Sequence, residues 1–228
     1  MNKNPHVSVV MSVYNSELSL KKSIESIIRQ SYENIEFLIM DDASNDNSSN
    51  IINQFQKIDK RIKIFKNKKN VGLTKSLNLL IKETKGELIA RQDADDISNK
   101  ERIKKQVDYI THKNLDASTT RAKIIEENRV TPRFSYLLPK KILIRYKNPY
   151  IHGSLIIKKS ILKEHNFYDE RFYYSQDYKL MSDLIKSRRR IGIIKEPLYY
   201  LNMKNNISKN YYKEQQYYAQ CVKLGIEP

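Results

Sequence analysis

The sequence predicts an α/β fold with a mostly parallel central sheet flanked by helices. Three observations carry that prediction. Short apolar, β-branched runs recur through the first half of the chain. Each is followed by a segment whose apolar residues repeat at helical spacing. Polar and acidic residues collect where the runs end. A β-α unit repeated in this way gives parallel strands joined by right-handed crossovers, with helices on both faces. Open sheets of this kind bind ligands at the carboxyl ends of their strands.

The elements follow in order. Residues 7–13, VSVVMSV, are apolar without alternation, as a central strand covered on both faces requires. Tyr14-Asn15-Ser16 breaks the run, and from Glu17 a helix carries Leu20, Ile24, Ile27 and Ile28 on one face. Residues 35–40 form a second strand, ending in Asp41-Asp42-Ala43-Ser44-Asn45-Asp46. The next helix has Ile51, Ile52, Phe55 and Ile58 on its apolar face. Residues 61–65 are a third strand, Asn70-Val71-Gly72 a turn, and Leu73, Leu77, Leu80 and Ile81 mark a third helix. Gly86 leads into a fourth strand, Leu88-Ile89-Ala90.

That fourth strand empties into Asp93-Ala94-Asp95-Asp96. Three carboxylates this close repel one another unless a positive charge sits among them, and a chain of net charge +16 has no general need for negative charge there. One reading is a hard divalent cation, Mg²⁺ or Mn²⁺, completed by substrate phosphates. The other is that the carboxylates favour the positive end of the next helix. That helix has Ile103, Val107 and Ile110 at helical spacing and Ser98 or Asn99 as its expected cap. Arg102 is expected to pair with a nearby acid.

Regular alternation fades after about residue 115. Residues 117–125 read as a strand, 126–141 as a polar loop, and 150–157, YIHGSLII, as a strand holding His152 and Gly153. A short helix spans 158–165, another carries Tyr178, Met181, Leu184 and Ile185, and two short strands cover 191–194 and 198–201. The tail from Lys209 is rich in Tyr and Lys.

Composition sets the outer bounds. The chain has 228 residues, 39% of them hydrophobic, enough for one large domain with a full core. No apolar run approaches the roughly 18 residues of a membrane span. The N-terminus does not read as a signal peptide. Cys221 is the only cysteine, which excludes an internal disulfide and fits a reducing cytosol. The 42 Lys+Arg against 26 Asp+Glu are spread along the chain with no arginine-rich motif, so nucleic acid is not the expected partner. The strand-helix junctions carry neither GxGxxG nor a Walker signature, and there are only 5 glycines. A dinucleotide-type phosphate grip is therefore not expected.

Six pieces in order, VSVVMSVYN, SIESIIRQSYENIEFLIMDDASNDNS, NVGLTKSLN, GELIARQDADDIS, NPYIHGSLIIKKS and SQDYKL, resemble a family 2 glycosyltransferase with the A-type glycosyltransferase fold. The resemblance covers nearly the whole chain. It implies a single domain made of a nucleotide-sugar-binding half (1–115), a smaller acceptor half (116–205) and a basic, Tyr-rich C-terminal helix (206–228). It places Ser12 and Tyr14 around uracil and ribose, and gives Asp42 a hydrogen bond from the base. Glu17 matches an acidic position of the family, and Lys75 stands near the diphosphate. Asp93-Ala94-Asp95 matches the DxD motif, with Asp95 and then Asp93 as ligands of Mn²⁺ or Mg²⁺. Arg91 and Asp96 reach toward the donor sugar. Asp177 matches the general base of an inverting transfer, although relatives carry Glu-Asp where this chain has Gln176-Asp177. From the residues alone, Tyr14 is also a strand-end aromatic, Asp41, Asp42 and Asp177 are also helix caps, and Glu17 also complements a helix N-terminus. Lys75 is equally a solvated helix charge. His152 is read as a hydrogen-bonded structural histidine in preference to a phosphate or metal contact.

The expected activity is transfer of a hexose or N-acetylhexosamine from a UDP-sugar to a cell-envelope glycan, free or lipid-linked, in lipopolysaccharide or capsule. The expected location is the cytoplasm, with the basic tail resting against the inner face of the membrane. Two alternatives stand beside it: a non-catalytic nucleotide- or glycan-binding module of the same fold, and a basic nucleic-acid-binding protein. The sequence leaves the sugar, the linkage, the acceptor and the oligomeric state open.

Overall fold

The protein is described from a computed structural model that covers residues 4–204 and 211–228. The first half is the expected alternation: β1 (Val7–Val13), α1 (Glu17–Ile28), β2 (Ile35–Asp41), α2 (Ser48–Ile58), β3 (Ile62–Lys66), α3 (Leu73–Glu83) and β4 (Leu88–Arg91). The rest comprises β5 (Ile97–Ser98), α4 (Arg102–Lys113), β6 (Ala117–Ile124), β7 (Arg129–Thr131), α5 (Lys140–Leu143), β8 (Ile156–Lys158), α6 (Lys159–Glu164), α7 (Gln176–Lys186), β9 (Ile191–Leu201) and α8 (Tyr212–Leu224).

The strands join in the order β3-β2-β1-β4-β8-β6-β9-β5, with β7 paired to β6. The first four are parallel. β8 runs antiparallel to both β4 and β6, so the second half of the chain adds onto the first within a single sheet. β2 is buried along its whole length, which explains its apolar run from Phe37 to Met40, and its one interruption, Glu36, is held by Ser8 and Lys63. Each face has its own core. On one, Leu20, Ile24 and Ile27 of α1 meet Ile52 of α2 and Ile103, Val107 and Ile110 of α4. On the other, Leu77 and Leu80 of α3 meet Leu162, Met181, Leu184 and Cys221. Burying each such aliphatic side chain contributes about 1.5–3 kcal/mol before entropy is counted.

The structure departs from expectation where contacts are long-range. Residues 150–157 are not one strand. His152–Ser154 forms a 3₁₀ turn and only Ile156–Lys158 is extended. The segment 126–141 is not a plain loop: Arg129–Thr131 returns along β6, and α5 begins at Lys140. The two expected strands at 191–194 and 198–201 are one strand, β9, with a register irregularity opposite Thr120 to Ala122. Ser98 lies in β5 and does not cap α4. Asn99 opens the turn instead, its Oδ1 accepting the Glu101 N–H at 2.9 Å and its carbonyl the Arg102 N–H at 3.0 Å. The expected C-terminal helix begins at Tyr212, and residues 206–210 of that segment lie outside the described residues.

Candidate functional site

The parallel strands deliver their carboxyl ends to one edge. In register, Val13 of β1 stands beside Asp41 of β2. Ser12 is half-buried and Tyr14 is 47% exposed, its ring free for a partner. The loops after β1 and β2 are laced together. Asn15 N–H donates to Ser44 Oγ at 3.1 Å, Asn45 N–H to Asn15 Oδ1 at 2.8 Å, and Ser16 N–H to Ser48 Oγ at 2.9 Å. The Glu17 carboxylate accepts the Asn47 N–H at 2.8 Å, so it serves the start of α2, where a helix favours negative charge. Asp41 accepts from Ser44 N–H and Ser49 Oγ. Burial raises its carboxyl, but those bonds and the Lys66 charge outweigh it and hold Asp41 below its ordinary value.

Asp42 is 1% exposed and its oxygens are engaged by the protein. Oδ1 accepts from Asn67 Nδ2 at 2.7 Å and Val71 N–H at 3.0 Å, and Oδ2 from Gly72 N–H at 2.9 Å. The geometry thus makes Asp42 the latch of the 67–72 loop, whatever it gives to a base. Gly72 has φ +88°, and a Cβ there would lie 2.8 Å from the Tyr173 ring, so only glycine fits. Through this contact the β2 edge touches the segment that leads to Asp177. Lys75 is exposed on the first turn of α3.

The acidic turn is built on two buried arginines. Arg91 is 1% exposed and forms an ion pair with Asp93, whose side chain is 30% exposed. Burial opposes the Arg91 charge, but the Asp93 carboxylate outweighs it. Arg102 does not pair with an acid as expected. It is fully buried, its carbon lies 5.4 Å from the centre of the Tyr199 ring, and it donates to the Arg91 carbonyl at 3.0 Å. Burial lowers it to about 10. Tyr199 is the pin of the turn. Its hydroxyl accepts the Asp93 N–H at 3.1 Å and hydrogen-bonds the Asp96 carboxylate, which also takes the Asn202 N–H at 2.8 Å. Ala94 is buried, with its carbonyl accepting Ser19 Oγ at 3.2 Å. Asp95 is half-buried, and burial followed by the neighbouring Asp93 charge pushes its carboxyl up to about 6.

Asp177 sits in the first turn of α7, after Ser175 at φ 53°, and is not the N-cap. Asn148 Nδ2 donates to its Oδ2 at 2.8 Å. Burial raises the Asp177 carboxyl above its ordinary value, the Tyr178 N–H and Asn148 pull it back, and the Asp93 charge adds to the rise. Asp93 and Asp177 therefore feel one another across the edge. Gln176 is buried. His152 shares a 2.8 Å hydrogen bond with the buried Tyr168 hydroxyl. Burial, then Arg91, drives it well below its ordinary value, which leaves it neutral.

Ser12, Tyr14, Asp42, Asp93 and Asp95 thus gather at the carboxyl ends of β1, β2 and β4, and Asp177 of α7 lies near enough to feel the Asp93 charge. Among the described residues, no group of three or more His, Cys, Asp or Glu side chains converges as a metal site. The turn offers the two carboxylates Asp93 and Asp95. A cavity of about 450 Å³ lies elsewhere, lined by Lys82, His165, Glu170 and Lys179, and shares only Tyr168 with this neighbourhood. The residues that sequence reading missed are Tyr199, Asn148 and Gly153. A Cβ on Gly153 would come within 2.3 Å of the Tyr199 oxygen and 2.5 Å of Asp93 Oδ2. Asn148 and Gly153 lie in the NPYIHGSLIIKKS piece that carries the family resemblance, whereas nothing in the sequence singles out Tyr199 from its neighbour Tyr200.

The comparisons with known proteins agree with this geometry. The sequence model of Glycosyl transferase family 2 matches residues 8–177. An uncharacterized glycosyltransferase of Methanocaldococcus jannaschii, MJ1057, is 35% identical over 203 residues, covering 84% of this chain and 69% of that protein. The Escherichia coli UDP-Glc:alpha-D-GlcNAc-diphosphoundecaprenol beta-1,3-glucosyltransferase WfgD is 29% identical over 215 residues, 91% of this chain and 81% of its own. The chain spans 59% and 61% of the length of two further relatives, from Bacillus subtilis and Haemophilus influenzae. The crystal structure of Staphylococcus aureus TarS 1-349 in complex with UDP superposes with a TM-score of 0.77 at 20% identity, over 96% of this chain and 65% of that one. The nine-stranded mixed sheet is accordingly the A-type glycosyltransferase fold, and the chain belongs to glycosyl transferase family 2.

Proposed function

We propose that the protein is an inverting, metal-assisted glycosyltransferase that moves a hexose or N-acetylhexosamine from a UDP-sugar to a hydroxyl of a cell-envelope glycan. The observation that carries the reading is Asp177. It is a half-buried carboxylate held by Asn148 and near enough to feel the Asp93 charge, and burial tunes it toward proton acceptance. In this reading Asp177 takes the acceptor hydroxyl's proton as that oxygen attacks the anomeric carbon and the nucleoside diphosphate departs.

Donor binding falls to the laced rim. Tyr14 stacks on the base, Ser12 reaches the ribose, and Asp42 keeps the 67–72 loop, and with it Lys75, beside the diphosphate. Asp93 and Asp95 are the residues that would hold Mn²⁺ or Mg²⁺. The donor set fits: the Arg91 charge goes to Asp93, and Asp95 is left beside a like charge with no cation of its own. When bound, the ion supplies charge neutralisation to the departing diphosphate. The relatives support the choice of UDP and of an envelope glycan: WfgD is named for a UDP-glucose donor and a diphosphoundecaprenol-linked acceptor, and TarS structures hold UDP or UDP-GlcNAc.

The deciding experiment is a panel of nucleotide sugars screened by thermal shift with and without Mn²⁺. A ligand at 100 times its Kd stabilises the fold by about 2.7 kcal/mol. UDP-sugars are expected to raise Tm only when Mn²⁺ is present, and a GDP-sugar to leave it unmoved. Stabilisation by every nucleotide regardless of metal would contradict the reading.

Gly153 provides a second check. Gly153→Ala forces Asp93 or Tyr199 to shift. A displacement of about 1 Å at a reacting centre costs on the order of 100-fold in rate. The variant is expected to fold and to lose kcat/KM by that order in a steady-state transfer assay.

A further inference from the structure

From residue 133 to 147 the chain reads RFSYLLPKKILIRYK. Five large apolar side chains in it face solvent: Phe134 is 72% exposed, Leu137 61%, Leu138 53%, Ile142 59% and Tyr146 70%. A folded surface seldom leaves so many together without a partner. The same stretch holds four exposed cations, Arg133, Lys141, Arg145 and Lys147, while Lys140 ties its ammonium to the Tyr136 and Leu138 carbonyls, and no Asp or Glu occurs between Glu127 and Glu164.

The segment is nonetheless fixed to the body of the protein. Leu143 and Ile144 are buried, the Tyr178 hydroxyl donates to the Ile144 carbonyl at 2.6 Å, and Asn148 binds Asp177 at 2.8 Å. Its inner side thus packs on α7, the helix that carries Asp177, while its outer side is apolar and basic. Neither water nor a second copy of so basic a surface satisfies both features. An anionic bilayer satisfies them together, with acyl chains for the leucines and isoleucine, an interface for Tyr146, and phosphate headgroups for the cations.

We infer that the surface formed by residues 133–147 docks the protein on an anionic lipid bilayer, with Asp177 next to the docked face. This goes beyond the proposed function, because vesicle binding needs no sugar transfer. It also assigns bilayer contact to α5 and its approaches, where the sequence had pointed to the C-terminal helix.

Sedimentation with phosphatidylcholine vesicles, with and without phosphatidylglycerol, tests it. The wild-type protein is expected to co-sediment with the phosphatidylglycerol vesicles and to be released by salt. The exposed double variant L137S/I142S is expected to lose that binding. K141E/R145E is expected to lose it by at least about 25-fold, roughly fivefold for each cation removed. UDP-induced thermal stabilisation, read on the same samples, is expected to persist in both, which separates loss of docking from loss of the donor site. Equal binding to neutral vesicles, full binding by both variants, or loss confined to K213E/K223E on α8 would overturn the inference. So would a dimer, seen by analytical ultracentrifugation, that L137S/I142S dissociates while no vesicle binding is found.

Discussion

Asp177→Asn is expected to lower transfer by about 10²–10⁴-fold, the usual contribution of a general base. UDP binding is expected to be unchanged, since the role proposed for Asp177 is toward the acceptor hydroxyl and not the donor. Stability should not fall. Burial raises the Asp177 carboxyl in the fold. Its folded value therefore lies above its unfolded one, and ionisation costs the fold a penalty that sets in as pH rises through that range and is complete at neutral pH. Asparagine is isosteric and uncharged, and its Oδ1 still accepts from Asn148. At neutral pH the variant is expected to melt at or above the wild-type temperature, with any gain vanishing in acid. The wild-type pH profile follows from the same shift. kcat should fall on the acid side with a midpoint above the ordinary 3.8 of an aspartate. Retained transfer, or a loss of UDP binding in a calorimetric titration, would remove Asp177 from this role.

The parallel half was legible because its evidence is local. β1 and β2 declare themselves by short runs that are mostly apolar and lack clear alternation, and α1 to α3 by apolar residues three and four apart. The polar strand ends followed from topology, since parallel strands deliver their carboxyl ends to one edge. The second half was less legible because its order depends on distant partners. β8 has three residues and exists because it inserts between β4 and β6. The 3₁₀ turn at His152–Ser154 interrupts an apolar run that periodicity alone reads as strand. Tyr199 shows the limit most plainly. Its hydroxyl meets an N–H 106 residues earlier, and its neighbour in sequence, Tyr200, is chemically identical. The β9 register alone decides which of the two points at the acidic turn. Arg102 was misread for a related reason. A buried arginine normally implies a carboxylate, but here an aromatic face and a carbonyl take its place.

Asp93 and Asp95 are assigned to one cation, yet stability should tell them apart. Asp93→Asn leaves Arg91, 1% exposed, without its counter-charge, and Arg91 Nε and Nη1 already have no hydrogen-bond partner. Breaking a fully buried pair from one side costs about 3–5 kcal/mol. Asp93 is partly open to solvent, which screens the interaction, so a loss of about 2 kcal/mol is the expected value in urea denaturation. Asp95 has no such partner. It is a half-buried carboxylate beside a like charge, so Asp95→Asn relieves crowding and is expected to leave the denaturation midpoint unchanged or higher. In Mn²⁺-dependent transfer the order differs: both variants should be severely impaired, because each removes one of the two carboxylates offered to the ion. Asp93 thus neutralises the buried arginine in addition to the role proposed for it at the diphosphate, while Asp95 has only the proposed role. Equal destabilisation by the two substitutions would mean that the Arg91 pair does not hold the turn. Unimpaired Mn²⁺ response in Asp95→Asn would take the cation away from the DxD turn.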